Sequence, residues 1–177
     1  MKIFSGSSNK PLTQKIAHAL DLDLSPVEIF VFPDGERRIQ IQERVVEEDC
    51  VVVQTTCAPV DQNFMELFFI VDGLKRSGAR SITAVIPYLG YQRQDHVFRD
   101  GEAVSLDVVV HALERTGATK VITCDLHSIK IPEVFSVPVT LSPLAKANSL
   151  YALADQNQPG AALMFHRALK LQRRGQR

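Results

Sequence analysis

Three short stretches concentrate side chains suited to chemistry. The first is FPDGE, Phe32 to Glu36, followed by Arg37 and Arg38. Asp-Gly is a strong turn signal, so a solvated turn is one reading. The other gives Phe32 a base to stack on. It gives Asp34 and Glu36 an amino group or sugar hydroxyls to bind. The second stretch is PYLGYQRQDHVFRDGE, residues 87–102. Arg93 and Gln94 follow Tyr91 there, and a guanidinium fork suits phosphates or the face of a flat ring. His96–Glu102 has glycine and charge but little to bury. It reads as an ordinary charged crossover or as a mobile lid. The third is CDLHS, with Asp125 and His127 two apart. In extended chain the two would share a face and could hold a divalent ion directly or through water. A hydrogen-bonded structural histidine is the competing reading. Together the stretches suit phosphoryl-type transfer, which is mostly positioning plus neutralisation of charge.

Each stretch follows a strand-like run. KIFSG opens the chain with a strand over Lys2–Phe4, and LTQKIAHALDL has helical spacing at Leu12, Ile16, Ala19 and Leu20. VEIFVF and the alternating RRIQIQ flank the PDG turn as a hairpin with an exposed tip. DCVVVQTT is a continuous β-branched run, as in a buried parallel strand. DQNFMELFFIVDGLKRSGA predicts a helix capped by Asp61 and ending near Gly78. Its apolar face runs through Phe64, Leu67, Phe68, Val71 and Leu74. SITAVIPY, KVITCDLH and SVPVTLSP read as further strands. VSLDVVVHALERTGA and LAKANSLYALAD read as helices. This alternation predicts an α/β fold with a parallel sheet and helices on both faces. Ligands then bind beyond the carboxyl ends of the strands, where the three stretches fall.

Composition narrows the classes. The 177 residues carry 20 Lys and Arg against 20 Asp and Glu, so no general attraction to nucleic acid or membrane is expected. Apolar runs are too short for a membrane span or a signal peptide, and the odd, unpatterned cysteine count fits a reducing cytoplasm. Cys50, Cys57 and Cys124 follow no zinc or CxxC pattern, and Cys50 and Cys124 read as buried thiols. His18 and His111 read as helix-surface residues. Neither GxxxxGK[ST] nor GxGxxG occurs, so phosphate must be held by loops, arginines or a metal. Residues 160–177 contain five of the basic residues and none of the acids, leaving the rest at a net charge of about −5.

FSGSSN, FPDGE, the run from VVVQTT to GYQRQD, GEAVS and VITCDLHS stand in the order found in ribose-phosphate diphosphokinases (phosphoribosyl pyrophosphate synthetases). The chain resembles the N-terminal half of that family from residue 2 to about 143. The resemblance implies a three-layer type I phosphoribosyltransferase-like fold. It also implies transfer of diphosphate from ATP to ribose 5-phosphate with Mg2+, by a homo-oligomer that engages neither nucleic acid nor membrane. Phe32, Asp34, Gly35 and Glu36 would meet adenine and ribose of a neighbouring subunit's ATP, and Arg93 and Gln94 would hold ATP in their own subunit. His127 would contact magnesium–ATP beside Asp125. Arg99, where the family often has lysine, would be the catalytic cation. Residues 1–143 would form the ATP-side domain. Residues 144–177 would form a truncated or divergent start of a second domain with a basic tail, the product of truncation or a changed reading frame. The alternatives are a non-catalytic regulatory subunit joining full-length synthetases, and an α/β domain with degenerate sites.

Overall fold

The computed structural model describes residues 1–124 and 126–141. Asp125 and the expected helix over LAKANSLYALAD lie outside the described residues. Five strands form one parallel sheet: β1 (Lys2–Ser5), β4 (Asp49–Val53), β5 (Ser81–Ile86), β6 (Lys120–Thr123) and β7 (Val139–Leu141), in that spatial order. The central register sets Val51 beside Ile3 and Thr83. The remaining strands, β2 (Val27–Val31) and β3 (Arg37–Ile41), pair antiparallel as a separate hairpin.

Period-two alternation explains the layers. Phe4, Val52, Ala84 and Val121 face one core with helices α2 (Val60–Arg76) and α3 (Ser105–Thr116), while Ile3, Val51, Val85 and Ile122 face another with α1 (Lys10–Ala19). Strands buried on both faces have no polar side to show, hence the unbroken VVV of β4. The hairpin packs Ile29, Ile39 and Ile41 against the first core and leaves Phe30, Val31 and Phe32 exposed.

Local chemistry sets the helix ends. Asn9 caps α1, its side-chain oxygen accepting the Leu12 amide at 3.1 Å, with Pro11 in the first turn. The cap of α2 differs from expectation. Pro59, after a cis Ala58–Pro59 bond, occupies that position, and Asp61 lies inside the first turn with its carboxylate engaged elsewhere. Gly78 and Gly117 take positive φ just past α2 and α3. Strand β5 also stops sooner than SITAVIPY suggested, at Ile86 before Pro87. A short 3-10 turn, Ile131–Val134, was not foreseen. Among the described residues no helix is long and apolar enough to cross a membrane.

Candidate functional site

Because the five strands are parallel, the segments following β1, β4, β5 and β6 emerge at one edge of the sheet. The first two interlock through buried polar groups. Glu66, 1% exposed, accepts the Ser7 amide at 2.6 Å, the Ser7 hydroxyl at 2.8 Å and the Gln54 carboxamide at 2.9 Å. Gln54 in turn accepts the Ser8 hydroxyl at 2.6 Å, and Ser8 Oγ accepts the Thr55 amide at 3.0 Å. Arg37 at the start of β3 lies 3.5 Å from Glu66 and donates to Gln62 at 3.1 Å. A burial that costs a lone carboxylate dearly is thereby offset by several donors and a cation.

The segment after β5 walls a cleft. About 820 Å³ in volume, it is lined by Pro59, Asp61 and Gln62 at the start of α2 and by Tyr88 and Gly90–Gln94. Gly90 has no room for a side chain, since a Cβ would stand 2.8 Å from both the Thr56 carbonyl oxygen and Val60. Tyr91 adopts φ of 60°, and its carbonyl accepts the Gln94 amide at 2.8 Å, so the chain doubles back at the cleft wall. The Tyr91 hydroxyl donates to the Asp61 carboxylate, and that bond raises the phenol above its ordinary pKa, with burial and the carboxylate charge adding to it. Arg93 and Gln94 are exposed in the cleft wall, in a turn beyond the strand rather than on its end.

Gln92, beside them, is 6% exposed, and its side-chain oxygen accepts the His127 amide at 2.7 Å. This bond joins the segments after β5 and β6. His127 itself is exposed in a bend, so Arg93, Gln94 and His127 share one edge as anticipated. Arg99 is exposed in the crossover to α3, where its amide and that of Phe98 donate to Glu102 at 3.0 and 3.1 Å.

Phe32, Asp34, Gly35 and Glu36 form the exposed hairpin tip. The Asp34 carboxylate accepts the Glu36 amide at 3.1 Å and Gly35 takes φ of 92°. Gly35 and Glu36, with Arg37, Met65 and Phe69, line a second cleft of about 570 Å³ that shares Asp61 and Gln62 with the first. No group of three or more His, Cys, Asp or Glu side chains able to hold a metal occurs among the described residues. They do not form a protein-held Mg2+ cage, which would need several oxygen ligands.

Sequence reasoning missed Gln54, Glu66, Tyr91 and Gln92 as site-building residues and took Asp61 for a cap. Asn63 and Glu66 did carry a signal, as polar residues on the otherwise apolar inner face of α2. Gln92 carried none.

Residues 1–117 match the family model for the N-terminal domain of ribose phosphate pyrophosphokinase. Among curated relatives, the chloroplastic ribose-phosphate pyrophosphokinase 2 of Oryza sativa subsp. japonica is 46% identical over 139 residues, covering 78% of this chain and 35% of that protein. The ribose-phosphate pyrophosphokinase of Thermotoga maritima is 42% identical over 139 residues, 78% of this chain and 44% of its own length. That of Xylella fastidiosa is 41% identical over 161 residues, 89% and 50%. The crystal structure of phosphoribosylpyrophosphate synthetase from Mycobacterium smegmatis superposes with a TM-score of 0.77 at 33% identity, covering 79% of this chain and 47% of that one. The chain thus spans half or less of the length of these proteins. With the order of its strands, the segments they carry and these matches in agreement, the chain belongs to the ribose phosphate pyrophosphokinase N-terminal domain family.

Proposed function

We propose that this chain is the ATP-side part of a ribose-phosphate diphosphokinase. In the reaction the C1 hydroxyl oxygen of ribose 5-phosphate bonds to the β-phosphorus of ATP. The bond from that phosphorus to the α,β-bridging oxygen breaks, the hydroxyl proton is lost, and AMP leaves with the electron pair. The observation that carries the reading is the cleft walled by Arg93 and Gln94 and tied through Gln92 to His127. Arg93 offers a fork to phosphate, and Gln94 offers an amide to base or phosphate. Arg99, exposed on the crossover, is the proposed cation for the charge of the transferring group.

Mg2+ enters this reading as part of the substrate, carried on the ATP phosphates, with His127 and Asp125 beside it. The exposed Phe32, Asp34 and Glu36 reach a neighbouring subunit's nucleotide in a homo-oligomer, a role their outward position supports. The three free cysteines accord with a reducing compartment such as the cytoplasm. Residues 1–143 are assigned to the ATP-side domain, and 144–177 to the start of a second domain and a basic tail.

Calorimetric titration of the 177-residue chain with magnesium–ATP tests the proposal. Binding is expected, and Arg93→Ala should weaken it by about 1–3 kcal/mol. No binding, or an unchanged affinity in the variant, would remove the nucleotide from this cleft. AMP formation dependent on ribose 5-phosphate is not expected from the 177 residues alone, and robust turnover would show that they carry the acceptor site as well.

A further inference from the structure

We propose that Gln92 is a positioning residue that fixes the segment after β6 against the wall of the nucleotide cleft. The proposal rests on the nucleotide reading above. Arg93 and Gln94 leave the sheet after β5 and His127 leaves it after β6, so sheet pairing does not by itself set the spacing of their segments. The last register partners of these strands are Ile86 and Thr123, several residues short of the site. Beyond them the Gln92 carboxamide spans the gap, accepting the His127 amide at 2.7 Å.

The cleft end of this strut is held. On the cleft side, the turn is closed by the Gln94 amide on the Tyr91 carbonyl at 2.8 Å and secured to α3 by the Leu106 amide on the Gln94 carbonyl at 3.2 Å. Gln92 is buried, while Arg93 and Gln94, the next two residues, are exposed in the cleft wall. One residue thus points inward as a brace and the next two point toward ligand. The chemistry requires a brace. A triphosphate gripped from two strand ends needs their spacing held to about 0.5 Å, and the buried Gln92 carboxamide oxygen bonded to the His127 amide supplies that. Without the oxygen the His127 amide loses its partner and its segment is released from the clamp.

Gln92→Leu keeps the bulk and removes the acceptor, while Gln92→Glu keeps an acceptor oxygen. The readouts are hydrogen exchange of the His127 amide by NMR and calorimetric binding of magnesium–ATP, both on the 177-residue chain. Gln92→Leu should speed exchange at His127 and weaken magnesium–ATP about tenfold, with amides of the central strands unchanged. Gln92→Glu should restore slow exchange at His127 through the retained oxygen, while its added charge opposes the nucleotide phosphates. Unchanged His127 exchange in Gln92→Leu would overturn the strut. Faster exchange with unchanged nucleotide affinity would overturn its positioning role. If the wild-type chain binds no magnesium–ATP, the nucleotide reading fails and the positioning role with it, while the exchange measurement still decides the strut. Should the leucine variant not fold, Gln92→Asn, one methylene short of His127, is read in the same way.

Discussion

The Glu66 carboxylate takes both donors of Ser7, the amide at 2.6 Å and the hydroxyl at 2.8 Å, across 59 positions of sequence. These bonds secure the loop after β1 to the inner face of α2. Gln54 and Arg37 join the same carboxylate, so the loops after β1 and β4 and the hairpin share one anchor. Glu66→Ala would leave a partly buried guanidinium and three donors without this partner. The expected loss is about 3–5 kcal/mol, the range for breaking a buried ion pair by removing one member. Urea unfolding measures it, and a loss below about 1 kcal/mol would show that water replaces the carboxylate.

Two glycines should respond differently to alanine. At Gly90 the new Cβ meets a backbone oxygen and a valine methyl, both at 2.8 Å, so the main chain must shift. About 1–3 kcal/mol should be lost, together with the shape of the cleft wall. At Gly35 there is open space but φ is 92°, so only backbone strain opposes alanine, on the order of 1 kcal/mol, confined to the hairpin tip. Thermal melts of the two variants give the comparison, and equal losses would contradict it.

At the opposite edge of the sheet, Asp49 holds Arg80 with both carboxylate oxygens and accepts the Ser81 hydroxyl at 2.6 Å. The Arg80 hydrogen bond, followed by that of Ser81, holds this carboxyl below its ordinary pKa against an opposing burial effect. A folded value below the unfolded one contributes stability that is present above about pH 4 and lost as pH falls through the folded value. Arg80 is largely exposed, so the contribution is modest and salt-sensitive. Arg80→Gln should therefore melt lower than the wild type at pH 7 and converge with it in acid. A gap that persists at pH 2 would show that the pair acts through something other than charge.

The three thiols should separate by reactivity. Burial pushes Cys50 up to about 11, with the Glu48 charge adding to it, and Cys124 is also buried, whereas Cys57 is exposed at the end of the loop after β4. The thiolate is the reactive form, so at pH 8 one thiol should react quickly with an aromatic disulfide and all three in denaturant. Fast reaction of two in the native chain would mean that a buried edge of the sheet opens.

Much of this was legible locally. The runs at β4, β5 and β6 could be read as buried parallel strands because residues buried on both faces leave no polar alternation. The hairpin was legible because PDG sits between alternating runs. Asp61 was misread because an acidic residue before an apolar helix is the ordinary mark of a cap, whereas its partner here is a tyrosine 30 positions on. Gln92 was illegible for a related reason. Its use depends on His127 35 positions away, and one glutamine between a tyrosine and an arginine has no pattern. Long-range polar pairing chose these roles, and local propensity does not report it.

The Tyr91–Asp61 bond gives a test at alkaline pH. The carboxylate stabilises the neutral phenol by accepting its hydrogen bond and opposes the phenolate by charge, so the folded pKa lies above the unfolded one. Such a group adds stability below about pH 10, and the contribution disappears as pH rises through the folded value. Tyr91→Phe should therefore be less stable than the wild type at pH 7, by less than about 1 kcal/mol for a bond open to solvent. The two proteins should converge once pH has risen through the folded value. Absorbance titration supplies the direct check. Asp61→Asn should move one tyrosine ionisation down toward its ordinary value, because the amide still accepts a hydrogen bond but carries no charge. An unmoved titration curve would mean that the two side chains do not meet in solution, and the wall of the cleft between α2 and the Tyr91 turn would then have to be redrawn.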